Sequence, residues 1–389
     1  MFVFRKDALP KDPVFPANLK QLGYFVNEND QIRMIADPNE RFLYKINAND
    51  RYNEMQKEAM NTCIRQIVLS RLQNLGLSSF NLPVGTANSS PHVPILISPS
   101  IYTDQRVIVV LGEPVQDLGI WSYRTVSEDG INVGSAVNFA AAALRQGFRT
   151  NGDDDSNTPA VNSVEEPSQP SRGLILTNPG QLVWYCGGER AISLPTWLAL
   201  PRKYAVEPPM KMGFQNKIPG SETWQNHITY VFDEVLATLK SRETKIEIIG
   251  ISEGGLAAVR YLSEHWQSWQ KHISSMVLIN PLHDINHLHP VEFAQFISRR
   301  CRAYLISDKE SNLIIPGRYG FGCNCYSSGE SQNVEGIMPR IAGSVLQYLD
   351  TMDANPKLEE KELLTVEPGL EEGVDKITET AADGVVNKN

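Results

Sequence analysis

The sequence predicts an α/β fold: a doubly wound, mostly parallel sheet with an N-terminal hairpin and helix extension and a cap-like insertion. Three observations predict it. Short apolar, β-branched runs alternate with stretches of helical periodicity from Arg106 onwards, as buried parallel strands and their crossover helices do. One strand, Lys245-Ile246-Glu247-Ile248-Ile249, runs straight into small residues that open a helix. A long aromatic and proline-rich excursion follows the third core strand.

Taken in order, Pro10 to Pro16 reads as an extended arm. Residues 31–35 and 42–46 read as short strands bracketing the turn Ala36-Asp37-Pro38-Asn39-Glu40. Residues 51–75 place Met55, Ala59, Met60, Cys63, Ile64, Ile67, Val68 and Leu72 three or four apart, an amphipathic helix stopped by Gly76. Residues 94–98 form another short strand, and 106–111 (RVIVVL) a buried one that ends in Gly112-Glu113-Pro114. An alanine-rich helix covers 135–148, then a strand 173–177, then a helix 222–240. Strands at 273–280 and 301–307, the latter the last clear one, alternate with a helix at 291–299, and a helix at 336–349 closes the fold. We expect one domain over 1–350, with 1–100 as an extension packed on it. Residues 151–172, with Asp153-Asp154-Asp155 and little to bury, are expected to be a disordered insertion, and 351–389 an acidic disordered tail.

Composition narrows the function classes. The net charge is −9, and ten Asp/Glu against four Lys from Thr351 onwards place most of it in the tail. No Lys/Arg stripe offers phosphate neutralisation, so direct nucleic-acid binding has no support. Arg5, Lys6 and Asp7 break up the N-terminus before any signal-peptide core, and no apolar run is long enough for a membrane span. Five scattered cysteines fit reduced thiols, hence a nuclear or cytoplasmic protein that is not secreted. No cofactor is implied, and no metal: Cys323-Asn324-Cys325 lacks a second pair, and Pro281 and Pro290 argue against a ligand-bearing helix around His283 and His287.

The chemistry centres on Gly250-Ile251-Ser252-Glu253-Gly254, a G-x-S-x-G elbow between strand and helix. The strand-to-helix reversal strains the middle residue, and glycines on either side let the backbones pass. In α/β-hydrolases the displayed serine is the nucleophile, followed in the chain by an acid and then a histidine. Asp284 and Asp308 are candidate acids. The histidines are His92, His227, His265, His272, His283, His287 and His289, and none follows residue 289, where the base belongs. His283 is the possible substitute base. The oxyanion side is weak as well: Pro114 has no N–H, and Glu113 and Glu253 bring negative charge to the elbow. The elbow thus reads as vestigial, with a serine esterase or lipase-like hydrolase using Ser252 as the alternative. In the cap, Trp184, Tyr185, Trp197 and Arg202 are residue types that dominate interfaces and are candidate binding residues, or else packing of the cap.

Several polar-aromatic strings are more specific than the elbow. They are residues 22–33 (LGYFVNENDQIR), 49–54 (NDRYNE), 116–121 (QDLGIW), 178–182 (NPGQL), 197–202 (WLALPR) and the approach to the elbow at Ile218-Pro219-Gly220. With the elbow, they resemble the Arb-two domain family, the argonaute-binding-protein-two-like family of fungi. The resemblance implies an α/β-hydrolase-like fold without established hydrolysis. It also implies a place beside argonaute, or in histone-deacetylase and heterochromatin complexes, in small-RNA-directed gene silencing.

Overall fold

The computed structural model describes residues 9–144 and 172–361. Its strands are β1 (Tyr24–Val26), β2 (Ile32–Met34), β3 (Ser78–Leu82), β4 (Val93–Ile97), β5 (Arg106–Leu111), β6 (Arg172–Leu176), β7 (Val183–Tyr185), β8 (Arg190–Ile192), β9 (Lys245–Ile251), β10 (Ile273–Ile279), β11 (Cys301–Leu305) and β12 (Asn324–Ser327). Its α-helices are α1 (Leu19–Leu22), α2 (Asp50–Asn74), α3 (Tyr123–Glu128), α4 (Ala136–Leu144), α5 (Leu194–Leu198), α6 (Trp224–Tyr230), α7 (Ala237–Lys240), α8 (Glu253–Trp269), α9 (Val291–Arg300) and α10 (Ile337–Ala354). A π-helical stretch, Val231–Leu236, joins α6 to α7, so the helix expected over 222–240 is one rod with an irregular middle.

The central sheet has the order β12-β11-β10-β9-β5-β6-β4-β3. β12 through β6 pair in parallel, and β4 and β3 run antiparallel at one edge. This is a doubly wound, mostly parallel sheet. Side chains alternate along β5, so that Ile108 and Val110 enter a core with α2, α4 and α10. Val107 and Val109 enter a second core with α6, α8 and α9. Both sheet faces are therefore covered, which is why the strands read as continuous apolar runs.

The chain crosses from β5 to β6 on one side, then returns to place β9 on the other side of β5. Such a reversal of strand order opens a crevice at the carboxyl ends of the two central strands. The segments leaving β5 and β9, which carry Glu113 and Ser252, meet there.

Three expectations need correcting. The N-terminal hairpin pairs β1 with β2, Tyr24 opposite Met34, and residues 42–46 form no strand. The reversal sits one segment earlier, where the Asn27 side chain accepts from Gln31 N (2.8 Å) and Asp30 adopts φ 61°. Phe42 instead folds back so that its ring lies 5.4 Å from Tyr24. The strand β11 is not the last: β12 follows it, and its sequence Asn-Cys-Tyr-Ser hides a fully buried strand behind polar residue types. The described chain continues past residue 350. The helix α10 runs to Ala354, and the Glu360 carboxylate is buried against Arg302 (2.5 Å) and Tyr326 (2.8 Å). The expected insertion at 151–172, apart from Arg172 in β6, and the tail beyond 361 lie outside the described residues.

Among the described residues no helix is long and apolar enough to cross a membrane.

Candidate functional site

At the end of β9 the backbone of Ser252 adopts φ 45°, ψ −115°, the strained geometry of a strand turning at once into a helix. The glycines explain how the turn fits. A side chain on Gly250 would meet the Gly255 Cα at 2.4 Å, and one on Gly254 would meet the carbonyl oxygens of Leu111 and Gly112 at 2.4 Å. The elbow therefore packs directly on the end of β5. Its N–H is held by the Ile279 carbonyl (2.8 Å) at the end of β10.

The Ser252 hydroxyl donates to Glu113 Oε1 (2.7 Å) and accepts a long contact from Asn280 Nδ2 (3.4 Å). Among the described residues no histidine hydrogen-bonds to it. His283 is buried, and its Nε2–H donates to the Phe321 carbonyl (2.8 Å), tying the loop after β10 to the loop before β12. Asp284 is exposed and caps the turn Ile285–His287 by accepting from Asn286 N (2.8 Å). Asp308 is exposed beyond β11. His283 and Asp284 thus serve loop structure, Asp308 stands at the surface, and none of the three hydrogen-bonds to Ser252.

Glu113 was visible in the sequence as negative charge near the elbow, but not as the serine's partner. Burial pushes its carboxyl up from the ordinary range, the Ser252 hydroxyl pulls it down, and the neighbouring Glu253 and Glu335 push it up again. Glu113 lines a narrow slot of about 30 Å³ with Trp121, Ile120, Leu176, Asn178 and Met338, whereas Ser252, only 4% exposed, does not line it. The slot adjoins a wider cleft of about 380 Å³ between α2 and the cap helix α5, and Gln116, Asp117 and Glu335 border both. Behind this border Arg65 pairs with Glu58 (2.5 Å) and Asp117 (2.9 Å).

The far wall is set by a histidine that the sequence placed only on a helix. His227 is fully buried; its Nε2 accepts from Asn178 N (3.2 Å) and its Nδ1–H donates to Ser221 Oγ (3.1 Å). It locks the Asn178-Pro179-Gly180 turn that borders the slot. Burial brings its pKa down to about 3. The folded value lies below the unfolded one, so its contribution is complete above about pH 6.5 and fades as the pH falls towards 3. We expect acid to cost the native protein on the order of 5 kcal/mol across that window through this residue. His227→Gln should flatten the pH dependence of the urea midpoint there.

The two cap tryptophans are buried and Tyr185 is half-buried. Trp184 lies at a tilt against His92 (4.9 Å), Trp197 donates to the Met210 carbonyl (2.9 Å), and Tyr185 meets Trp197 edge-on (6.5 Å). Arg202 donates to the carbonyls of Glu207 (2.7 Å) and Leu198 (2.8 Å). These four residues hold the cap together and none lines the slot or the cleft. The cap is fastened in turn by Arg51 of α2. Its guanidinium pairs with Asp12 (2.7 Å) and donates to the carbonyls of Leu198 (3.1 Å) and Leu200 (2.9 Å). Among the described residues no group of side chains could hold a metal ion.

Residues 15–311 match the Arb2 domain. A cotranscriptional regulator ARB2A of Mus musculus is 24% identical over 73% of this chain and 68% of its own length. A homologue of that regulator in Dictyostelium discoideum is 21% identical over 80% of this chain and 74% of its own. Among solved structures, esterase Est22 aligns over 78% of this chain and 91% of its own with a TM-score of 0.29 and 10% identity. With more than half its length matched to one domain family, the chain belongs to the Arb2 domain family.

Proposed function

We propose that the chain is a non-catalytic binding subunit on a hydrolase-like frame, acting in transcriptional regulation at chromatin. The relatives named cotranscriptional regulators support the regulatory part. The finer assignment, to argonaute- or histone-deacetylase-associated complexes of small-RNA-directed silencing in the nucleus or cytoplasm, rests on the resemblance of the sequence strings. One observation carries the non-catalytic reading: the elbow hydroxyl is bonded to a carboxyl that itself faces the cavity, with no imidazole beside it. A serine so placed has no proton acceptor matched to neutral pH and no open path to a substrate.

A fluorophosphonate probe is expected to leave Ser252 unlabelled, and Ser252→Ala is expected to leave ester turnover at the level of the wild type. Labelling that disappears in Ser252→Ala would overturn the reading. In that event the contact of 2.7 Å assigns Glu113 the role of base, since a carboxyl raised by burial is a better proton acceptor than an exposed one. Recovery of argonaute or deacetylase components with the tagged chain tests the partner assignment.

A further inference from the structure

The cap buries its tryptophans but carries a run of large apolar side chains on its outside. Leu194, Leu198, Val206, Met210, Met212 and Phe214 are all exposed, Val206 by 63% and Phe214 by 87%. These six fall within 21 residues, yet they are more than a quarter of the 22 large hydrophobic residues exposed among those described, so they are not the ordinary scatter of a surface. The run is pinned from beneath. The Met210 carbonyl accepts from Trp197 Nε1 (2.9 Å), next to Leu198. The Arg202 guanidinium joins the carbonyls of Leu198 (2.8 Å) and of Glu207 (2.7 Å), the neighbour of Val206. Buried Asn216 accepts from Gly213 N (2.8 Å) and donates to the Trp184 carbonyl (2.9 Å), which fastens the turn that displays Phe214.

The charge here is opposite to that of the chain as a whole. Lys203 and Lys211 lie in the run, and Lys11 stands beside it, where the arm bridges antiparallel to Tyr204. All three lysines are exposed, and none forms an ion pair among the described residues. Glu207 is the only acid between residues 194 and 214, and its carboxylate accepts from Lys203 N (3.1 Å). A basic, apolar strip thus lies on a protein of net charge −9.

We propose that this outer face of the cap docks an acidic, apolar segment of a protein partner, with its large side chains on Met210, Met212 and Phe214 and its carboxylates towards Lys11, Lys203 and Lys211. This rests on the binding-subunit reading above and names the surface and the class of partner. Charge selects the occupant: carboxylates answer three unpaired ammonium groups, whereas a basic segment meets like charge. The two methionines are unbranched and re-shape around differently shaped neighbours, so the strip recognises a class of sequence. The backbone favours a peptide over a lipid surface. The N–H groups of Lys211 and Met212 make no hydrogen bond among the described residues; a peptide backbone can answer them, and bilayer hydrocarbon cannot.

The test uses the full chain and a short fluorescent peptide in which glutamates alternate with leucine and phenylalanine, read by anisotropy. The wild type is expected to bind it, more weakly as salt rises. Phe214→Ser and Lys211→Glu should each weaken binding at least about tenfold, as loss of an interface anchor does, with unchanged thermal midpoints as the fold control. No binding by the wild type, equal binding of the peptide with lysine in place of glutamate, or folded variants that bind as the wild type does would each overturn the proposal. Three further results overturn it by naming another occupant. Binding seen only in a full chain carrying Glu367→Gln, Glu371→Gln and Glu372→Gln would assign the strip to the chain's own tail. A wild-type dimer that Phe214→Ser turns into a monomer would assign it to a second copy. Sedimentation with phosphatidylserine vesicles that Phe214→Ser abolishes would assign it to a membrane. None of these outcomes touches the non-catalytic reading, which keeps its own test in the labelling of Ser252.

Discussion

Gly254→Ala is expected to leave almost no folded protein, at a cost above about 4 kcal/mol. The new methyl group would sit 2.4 Å from the carbonyl oxygens of both Leu111 and Gly112, and these are backbone atoms of the central strand β5 and its exit, not flexible side-chain ends. Relief would require β9 and α8 to move away from β5, and the β5–β9 pairing is the middle of the sheet. Gly343→Ala is the control: that glycine lies in α10 with open space around its Cβ position, so alanine should stabilise the protein by about 1 kcal/mol through helix propensity. Soluble yield and urea midpoints of the two variants separate the effects. A folded Gly254→Ala protein with wild-type stability would mean that the elbow does not pack as described.

The second large effect concerns charge within the sheet. Glu247 is wholly buried on β9 and is held by Arg106 of β5 (2.7 Å), which also reaches Asp350 (3.3 Å) and Asp353 (3.1 Å) of α10. Burial pushes Glu247 up, and the charges of Arg106 and Arg172 pull it down. Arg106→Met should destabilise the protein by about 3–5 kcal/mol, because it strands a buried carboxylate. Removing the charge as well, in Arg106→Met with Glu247→Gln, should recover much of that loss, since the cost lies in the orphaned ion. The single variant should also lose ground as the pH rises through the elevated range of Glu247, where the unpaired carboxyl ionises. Urea unfolding across that range checks both the size and the direction.

The sheet was legible because burial on two faces writes itself as unbroken apolar runs. Residues 106–111, 173–177 and 273–280 could be read as strands from composition alone, and β5, β6 and β10 lie there. The elbow was legible because two close backbone approaches admit only glycine. What could not be read was the pairing of elements distant in the chain. Nothing local in Asn324-Cys325-Tyr326-Ser327 marks an inner-face strand, because its burial comes from β11 and the residues near 360. The Glu113–Ser252 bond is of the same kind. Its partners are 139 positions apart, and only the strand order brings them together. Likewise His227 gave a helical position but not its function as the clamp of the Asn178 turn. The tryptophans of the cap misled in the opposite direction: large aromatics suit an interface and an interior equally, and here they fill the interior.

Arg51 joins three stretches that are far apart in sequence, the arm at Asp12, its own helix and the carbonyls of Leu198 and Leu200. A protein trimmed to the segment shared with its family, 15–311, would keep the arginine and lose its carboxylate, and with the C-terminal cut it would also lose Glu335 and Met338. Such a fragment would carry every signature string and still have one wall of its groove detached. Recombinant work on this protein should therefore set the cloning limits by these tethers, with tags placed well upstream of the arm.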